Sequence, residues 1–367
     1  MSSIIKVDTI QKADGTAGTV QDLGLATGAL SHRNLIHNGD MRIAQRGTSA
    51  SISSSNIGYK SVDRFRVNVV DSTCVFNLSK DTDAPAGFSN SLKVVPTTAD
   101  SSVGASDRVD LQQKIEGQNL QHLNYGTSSA KDLTISFWVK SNVTGTYGFC
   151  VYGYDQADRN TYSTSYSISS SGTWEYKTIT IPGDTNGNID NNTGGALGFI
   201  WGLMSGTNNT GGTTDAWSSY LDDNSVFLAA HNVNVMSSTS NYWQITGVQL
   251  EVGSVATPFE HISYGEELAR CQRYYWKSYS AFSADSTTSF LINLQYPTTM
   301  RASPSVSWSY GGVADNFYRL SDATTPGYSS PNGLFAGIDG ISTTYKFGTS
   351  FTTGATYATY WTMDAEM

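Results

Sequence analysis

Hydrophobic positions along this chain recur mostly with a period of two. Phe65, Val67 and Val69 alternate with Arg64, Arg66 and Asn68, and Cys74, Phe76 and Leu78 with Thr73, Val75 and Asn77. Leu133, Ile135, Phe137 and Val139 face away from Thr134, Ser136, Trp138 and Lys140. The same alternation runs through 109–115, 147–151, 179–181, 197–203 and 246–252. Such a period sets one face against a core and the other toward water, as in a half-buried strand. Many strands without intervening helices, joined by long polar turns such as 184–195 and 205–214, predict a two-sheet sandwich. Its simplest form is a jelly roll spanning 34–262.

The period changes once. Ser263 followed by Glu266 is a capping box, and Tyr264, Leu268, Cys271 and Tyr275 then recur at helical spacing. This predicts a connecting helix over 263–276. It either meets copies of itself at a trimer axis or packs on its own sandwich, and the pattern slightly favours the second. Alternation resumes in Phe290, Ile292, Leu294 and Tyr296, in Val306, Trp308 and Tyr310, in Tyr345 and Phe347, and in Tyr357, Thr359, Trp361 and Met363. Residues 277–367 therefore read as a second, smaller β-sandwich. Residues 1–33 have only Ile4, Ile5, Val7 and Ile10 to bury. That is too little apolar surface to fold alone, so the segment is expected to dock onto another chain.

Composition agrees with an all-β reading. Of 367 residues only 14% are charged, against roughly 25% in an average globular protein. The 35 Gly, 21 Tyr, 14 Phe and 8 Trp fit short strands and turns, and the aromatics argue against general disorder. A net charge of −9 leaves no basic stripe for nucleic acid. No apolar run is long enough for a membrane-spanning helix. The first residues lack the apolar core of a signal peptide, so synthesis in a cytosol is expected. Cys74, Cys150 and Cys271 are odd in number and far apart, which favours buried thiols over disulfides.

Chemistry for catalysis is sparse. None of the five histidines pairs with another at helical spacing, and no nucleophile elbow, phosphate loop or zinc motif occurs. Paired acidic residues such as Asp155 with Asp158, or Asp222 with Asp223, read as solvated loop carboxylates. Asp184, Asn186, Asn188 and Asp190 alternate like the start of a calcium loop. However, glycine falls at the wrong position and Gly195 stands where the closing glutamate belongs. A Gly/Asn turn is the preferred reading and a structural calcium the lesser one. Aromatic residues in polar surroundings are the better lead, because sugars stack their apolar faces on exposed rings. The candidates for glycan contact are Trp138, on the wetter side of its strand, Trp217 and Tyr220 in a polar loop, Tyr328, and Tyr360.

Several strings go beyond composition. The run Asn34-Leu35-Ile36-His37-Asn38-Gly39-Asp40-Met41-Arg42-Ile43-Ala44-Gln45-Arg46-Gly47, followed by Asp63-Arg64-Phe65, resembles the opening of many bacteriophage tail-fibre proteins. So does the block from Gln249-Leu250-Glu251-Val252-Gly253 through Pro258-Phe259-Glu260 to Tyr264-Gly265-Glu266-Glu267-Leu268 and Tyr275. Met300-Arg301-Ala302-Ser303-Pro304 is similar to a motif in the terminal sandwich of such fibres, and Ile5-Lys6-Val7-Asp8-Thr9-Ile10 looks like the start of fibres from marine phages, including cyanophages. Pro258 cannot donate to a ladder and stops its strand, so the second block reads as structural rather than ligand-binding.

The resemblance implies a virion fibre, a homotrimer made in the host cytoplasm. Its N-terminal part, with Ile4, Ile5, Val7 and Ile10, would attach to other tail or neck proteins. Its β domains would contact host polysaccharide or lipopolysaccharide, with a central sandwich like a carbohydrate-binding module. Absence of catalysis, of nucleic-acid binding and of membrane insertion is the expectation. A structural collar, neck or connecting fibre without receptor contact is the alternative. A polysaccharide-cutting spike is a lesser one, since no short β-helix repeat occurs.

Overall fold

The computed structural model describes residues 10–11, 17–18, 32–155, 159–219, 227–284, 289–310, 313–314, 318–320, 337–346 and 351–367. Ile4, Ile5, Val7, Tyr220 and Tyr328 lie outside the described residues. Among the described residues the chain is all-β with one short α-helix, and it divides into two compact units. The first comprises Met1–Arg42, Ser49–Lys60 and Phe65–His261. The second comprises Ile43–Thr48, Ser61–Arg64 and Ile262–Met367. Two short pieces of the N-terminal half thus cluster with the C-terminal region, a discontinuity that alternation along the sequence does not mark.

The strands of the first unit are β1 (Ile10–Gln11), β2 (Ala17–Gly18), β3 (Ser49–Ile52), β4 (Gly58–Tyr59), β5 (Arg66–Val70), β6 (Val75–Asp81), β7 (Ser91–Thr98), β8 (Arg108–Glu116), β9 (Leu133–Ser141), β10 (Gly145–Gly153), β11 (Asn160–Ile168), β12 (Glu175–Ile181), β13 (Gly195–Ser205), β14 (Ala216–Ser219) and β15 (Trp243–Val252). Ile10 falls in a two-residue strand, β1, which pairs with β2. Two antiparallel sheets form the jelly-roll sandwich, one in the order β14-β11-β10-β13-β8-β5-β4 and one in the order β12-β9-β15-β7-β6-β3. Residues facing inward from the two sheets interdigitate. Phe137 of β9 meets Trp201 of β13 at 5.9 Å and Tyr166 of β11 at 5.1 Å, while Phe149 of β10 lies 5.3 Å from Trp201. Leu133, Ile135, Phe137 and Val139 are fully buried, as their alternation requires.

The strings that carry the fibre resemblance fold as clasps. In the first unit, Asn34 donates from Nδ2 to the Val248 carbonyl and accepts from the Leu250 amide through Oδ1. Leu35 donates its amide to the Leu250 carbonyl, and Val248 donates to the Gly39 carbonyl. A Cβ on Gly39 would collide with the Val248 carbonyl oxygen, so only glycine permits this approach. Buried Glu251 accepts from the amide and hydroxyl of Thr257 and pairs with Arg33 at 3.2 Å. The Glu260 carboxylate accepts the amides of His32 and Asn34. The chain entering the sandwich and the chain leaving it are tied side by side.

The second unit holds α1 (Tyr264–Gln272), β16 (Tyr275–Ser283), β17 (Ser289–Gln295), β18 (Ser305–Tyr310), β19 (Val313–Ala314), β20 (Tyr318–Arg319), β21 (Gly340–Lys346) and β22 (Thr356–Asp364). One sheet runs β16-β22-β18-β19, with β20 also on β22, and β17 pairs with β21. Trp308, Tyr357, Trp361 and Met363 fill the core, with Trp308 and Trp361 5.7 Å apart. Its clasp is ionic. Arg64, 1% exposed, meets the Glu366 carboxylate and lies 3.4 Å above the Tyr274 ring. Arg46 pairs with Asp364 at 3.1 Å and covers the Tyr275 ring, while Gln45 holds both oxygens of Asp63.

The helix is shorter than its stripe suggests. Tyr275 already belongs to β16, where it pairs with Asp364, because strand pairing takes over once the turn at Arg273 and Tyr274 closes. The buried residues of α1 are Glu267 and Cys271, whereas Tyr264 is 57% exposed. The Ser263 hydroxyl accepts from the Glu266 amide at 3.2 Å, as the capping box requires. Ser263→Ala is expected to lower stability by about 1 kcal/mol, and Ser263→Asp to retain it. Urea unfolding followed by fluorescence is the measurement. All three cysteines are free and buried.

Candidate functional site

The outer face of the six-stranded sheet carries the site. On β9, Ser136 and Trp138 point outward, opposite the core residues Ile135 and Phe137. Their cross-strand partners on β12 are Thr178 and Tyr176. The Trp138 and Tyr176 rings lie 5.3 Å apart at 50°, and Tyr176 is 45% exposed. On the other side of β9, the pairing with β15 shifts register between Thr246 and Gln249. Gly247 sits in this bulge with φ +61°, a left-handed conformation natural to glycine. A Cβ there would stand 2.7 Å from Phe88 Cζ and 3.1 Å from Trp138 Cδ1, so both rings close over the glycine.

Two connections complete the walls. Ala86, Gly87 and Phe88 come from the β6–β7 connection, and 256–261 follow β15. Phe88, Phe259 and His261 form a ring cluster with centroids 4.9–5.5 Å apart, Phe259 meeting both others edge-to-face. The pocket is an open one of about 730 Å³, within the range of small-molecule sites. Among the described residues no carboxylate, lysine or arginine lines it. Thr257, one of the lining residues, is held by Glu251, and Ser136, Tyr176 and Thr178 also line the pocket. Neighbouring rings beside hydroxyls suit the apolar face and hydroxyl rim of a neutral pyranose.

The outer face of the seven-stranded sheet is closed where 227–231 lies on it. Phe227 and Leu228 pack on Cys150, Tyr152 and Ile200. Gly148 and Gly202 supply the space, since a Cβ on Gly202 would stand 2.9 Å from Leu228 Cδ1. His231 pins the segment: its Nδ1 accepts from the Gly148 amide at 3.0 Å and its Nε2 donates to the Val233 carbonyl at 2.9 Å. Burial pushes this imidazole down to about 4. In the unfolded chain it binds a proton near the ordinary value of about 6.5. The stability it supports is therefore present above roughly pH 6.5 and lost as pH falls toward 4. An NMR titration is expected to show His231 neutral, as the Nε2–H tautomer, at pH 5. Titration near pH 6.5 would contradict the buried geometry.

The sequence candidates are scattered over the fold. Trp138 forms a wall of the pocket. Trp217, on the edge strand β14, packs on Tyr125 and Tyr162 at 6.0 and 5.6 Å and donates its Nε1–H to the Pro182 carbonyl. It stands on the other sheet from Trp138. Tyr360, on β22 of the second unit, is 42% exposed beside Tyr279. Asp184 accepts from the Asn186 amide and the Asn160 side chain, while Asn188 donates to Asp190. Among the described residues no group of three or more His, Cys, Asp or Glu is arranged to hold a metal. Tyr176, Phe88, Phe259 and His261 were not among the sequence candidates. Only Tyr176 left a signal: Ile179 and Ile181 face the core, which puts residue 176 outside.

No family model matches this chain, and no curated protein does. Among solved structures it is similar to the family 11 carbohydrate-binding module from Clostridium thermocellum in complex with a mixed-linked tetrasaccharide. The identity is 12% and the TM-score 0.27, over 58% of this chain and 98% of that one. It is similar to the xylan-binding CBM22-1 domain from Paenibacillus barcinonensis at 10% identity and TM-score 0.25, over 58% of this chain and 100% of that one. It is also similar to the enzymatically active domain of tailspike protein 4 from bacteriophage CBA120, at 12% identity and TM-score 0.31. That match covers 60% of this chain, which spans only 21% of the tailspike domain.

Proposed function

We propose that this chain is a phage virion fibre that binds a neutral glycan of the host surface in the Trp138–Tyr176 pocket, without catalysis. The observation that carries the reading is the pocket itself: paired rings and hydroxyls on a sheet face, with no carboxylate, lysine or arginine among its described lining residues. The fibre role rests on the 34–47 and 249–275 strings; the second of these reads from sequence as structural only, but its residues 256–259 also line the pocket. In this reading the chain assembles as a homotrimer, and residues 1–33 attach it to other tail or neck proteins. Binding per pocket is weak and gains strength from copies acting together.

Calorimetry with neutral hexose and pentose oligosaccharides should find a ligand. The purified chain should be trimeric and should compete with the parent particle for host cells. Electron microscopy of intact particles should place it on the tail. A chain that binds no member of such a panel and never competes for adsorption would refute the receptor role and leave a structural fibre.

A further inference from the structure

The second unit has an exposed sheet face unlike the neutral pocket. On β16, Lys277 and Tyr279 point outward, and their partners on β22 are Thr362 and Tyr360. The next strand, β18, adds Ser307 opposite Thr362 and Ser309 opposite Tyr360. Two rows therefore cross three strands at about 4.8 Å spacing: Tyr279, Tyr360 and Ser309 in one, Lys277, Thr362 and Ser307 in the other. The two tyrosines are 49% and 42% exposed, with ring centroids 4.9 Å apart. Lys277 Nζ stands 5.3 Å from the Tyr360 centroid.

Charge selects the occupant. The protein carries a net charge of −9, yet no described carboxylate forms an ion pair with the exposed Lys277 ammonium. The nearest acidic position along β22, Asp364, is engaged by Arg46. A cation held at an exposed aromatic pair, its rings tilted by 53°, beside serine and threonine hydroxyls, complements a ring that has an apolar face, hydroxyls and a negative group.

We propose that this face is a second binding site, specific for an acidic sugar unit: the pyranose stacks on Tyr279 and Tyr360, and its carboxylate pairs with Lys277. The site is independent of the pocket on the first unit. It would let one chain hold two chemically different units of a host polysaccharide, and binding through two linked contacts strengthens attachment more than either contact alone.

The test titrates the full chain with trigalacturonate, a mannuronate trimer and sialyllactose, each beside its methyl ester, at low and high salt. At least one acid should bind, more weakly as salt rises and at least about tenfold more tightly than its ester. Lys277→Gln should remove that preference, Tyr360→Ser should remove binding of both forms, and Trp138→Ala should change neither. Lys277 and Tyr360 are exposed, so circular dichroism should show both variants folded. Equal affinity for acid and ester, binding unaffected by Lys277→Gln, or no binding across the panel would overturn the proposal. So would dissociation of the oligomer by Tyr360→Ser, which would make the face a contact between copies.

Discussion

Trp138→Ala is expected to weaken binding of the neutral glycan by about thirtyfold or more, the effect of losing about 2 kcal/mol from a central aromatic contact. The tryptophan is on the solvent side of β9, so its loss removes a ligand platform and leaves the Ile135 and Phe137 side of the strand in place. The melting temperature should therefore move little. Trp138→Phe keeps a smaller ring and should fall between the two. Calorimetry against the best neutral oligosaccharide checks the series, and unchanged affinity in the alanine variant would exclude the pocket as the site.

Arg64→Ala is expected to cost about 3–5 kcal/mol of stability in the second unit. Its guanidinium is buried against Glu366 and the Tyr274 ring. Without it, Glu366, a carboxylate that burial already pushes up, loses its nearest countercharge, while Asp63 keeps Arg46. Glu366 would then favour its protonated form in the folded chain above its unfolded value. A group raised in this way contributes stability that falls as pH rises, so the damage should be smaller at pH 5 than at pH 8. Replacing both partners, Arg64→Met with Glu366→Leu, should recover most of the loss. Urea unfolding at the two pH values is the measurement. A single-variant loss under about 1 kcal/mol would show that the cluster is not the clasp described.

Much of the fold was legible in the sequence because strand faces are written locally. Leu133, Ile135, Phe137 and Val139 face the core and Trp138 faces the other way, as period two requires, although Thr134 and Ser136 on that second face are covered too. The capping box at Ser263 is also a local signal. The extent of α1 was not, because helical spacing continues through Tyr275 while pairing of Tyr275 with Asp364 ends the helix earlier. Of the pocket, Trp138 and the outward parity of Tyr176 could be read. Phe88 and Phe259 could not, since they reach the site from connections whose paths depend on distant contacts.

The alternation of apolar and polar residues by itself determined an all-β chain with sandwich units and one capped helix, because each strand's buried face is a local property. Only the tertiary structure decided which outward rings meet. Trp217, read from sequence as a loop residue, is on an edge strand of the other sheet, and of the two tryptophans it is Trp138 that finds Tyr176 across a strand and Phe88 over the bulge at Gly247. It also decided what the 34–64 strings do. Arg46 and Arg64 are paired by carboxylates some three hundred residues away, and separations of that length are set by strand order rather than by any local pattern.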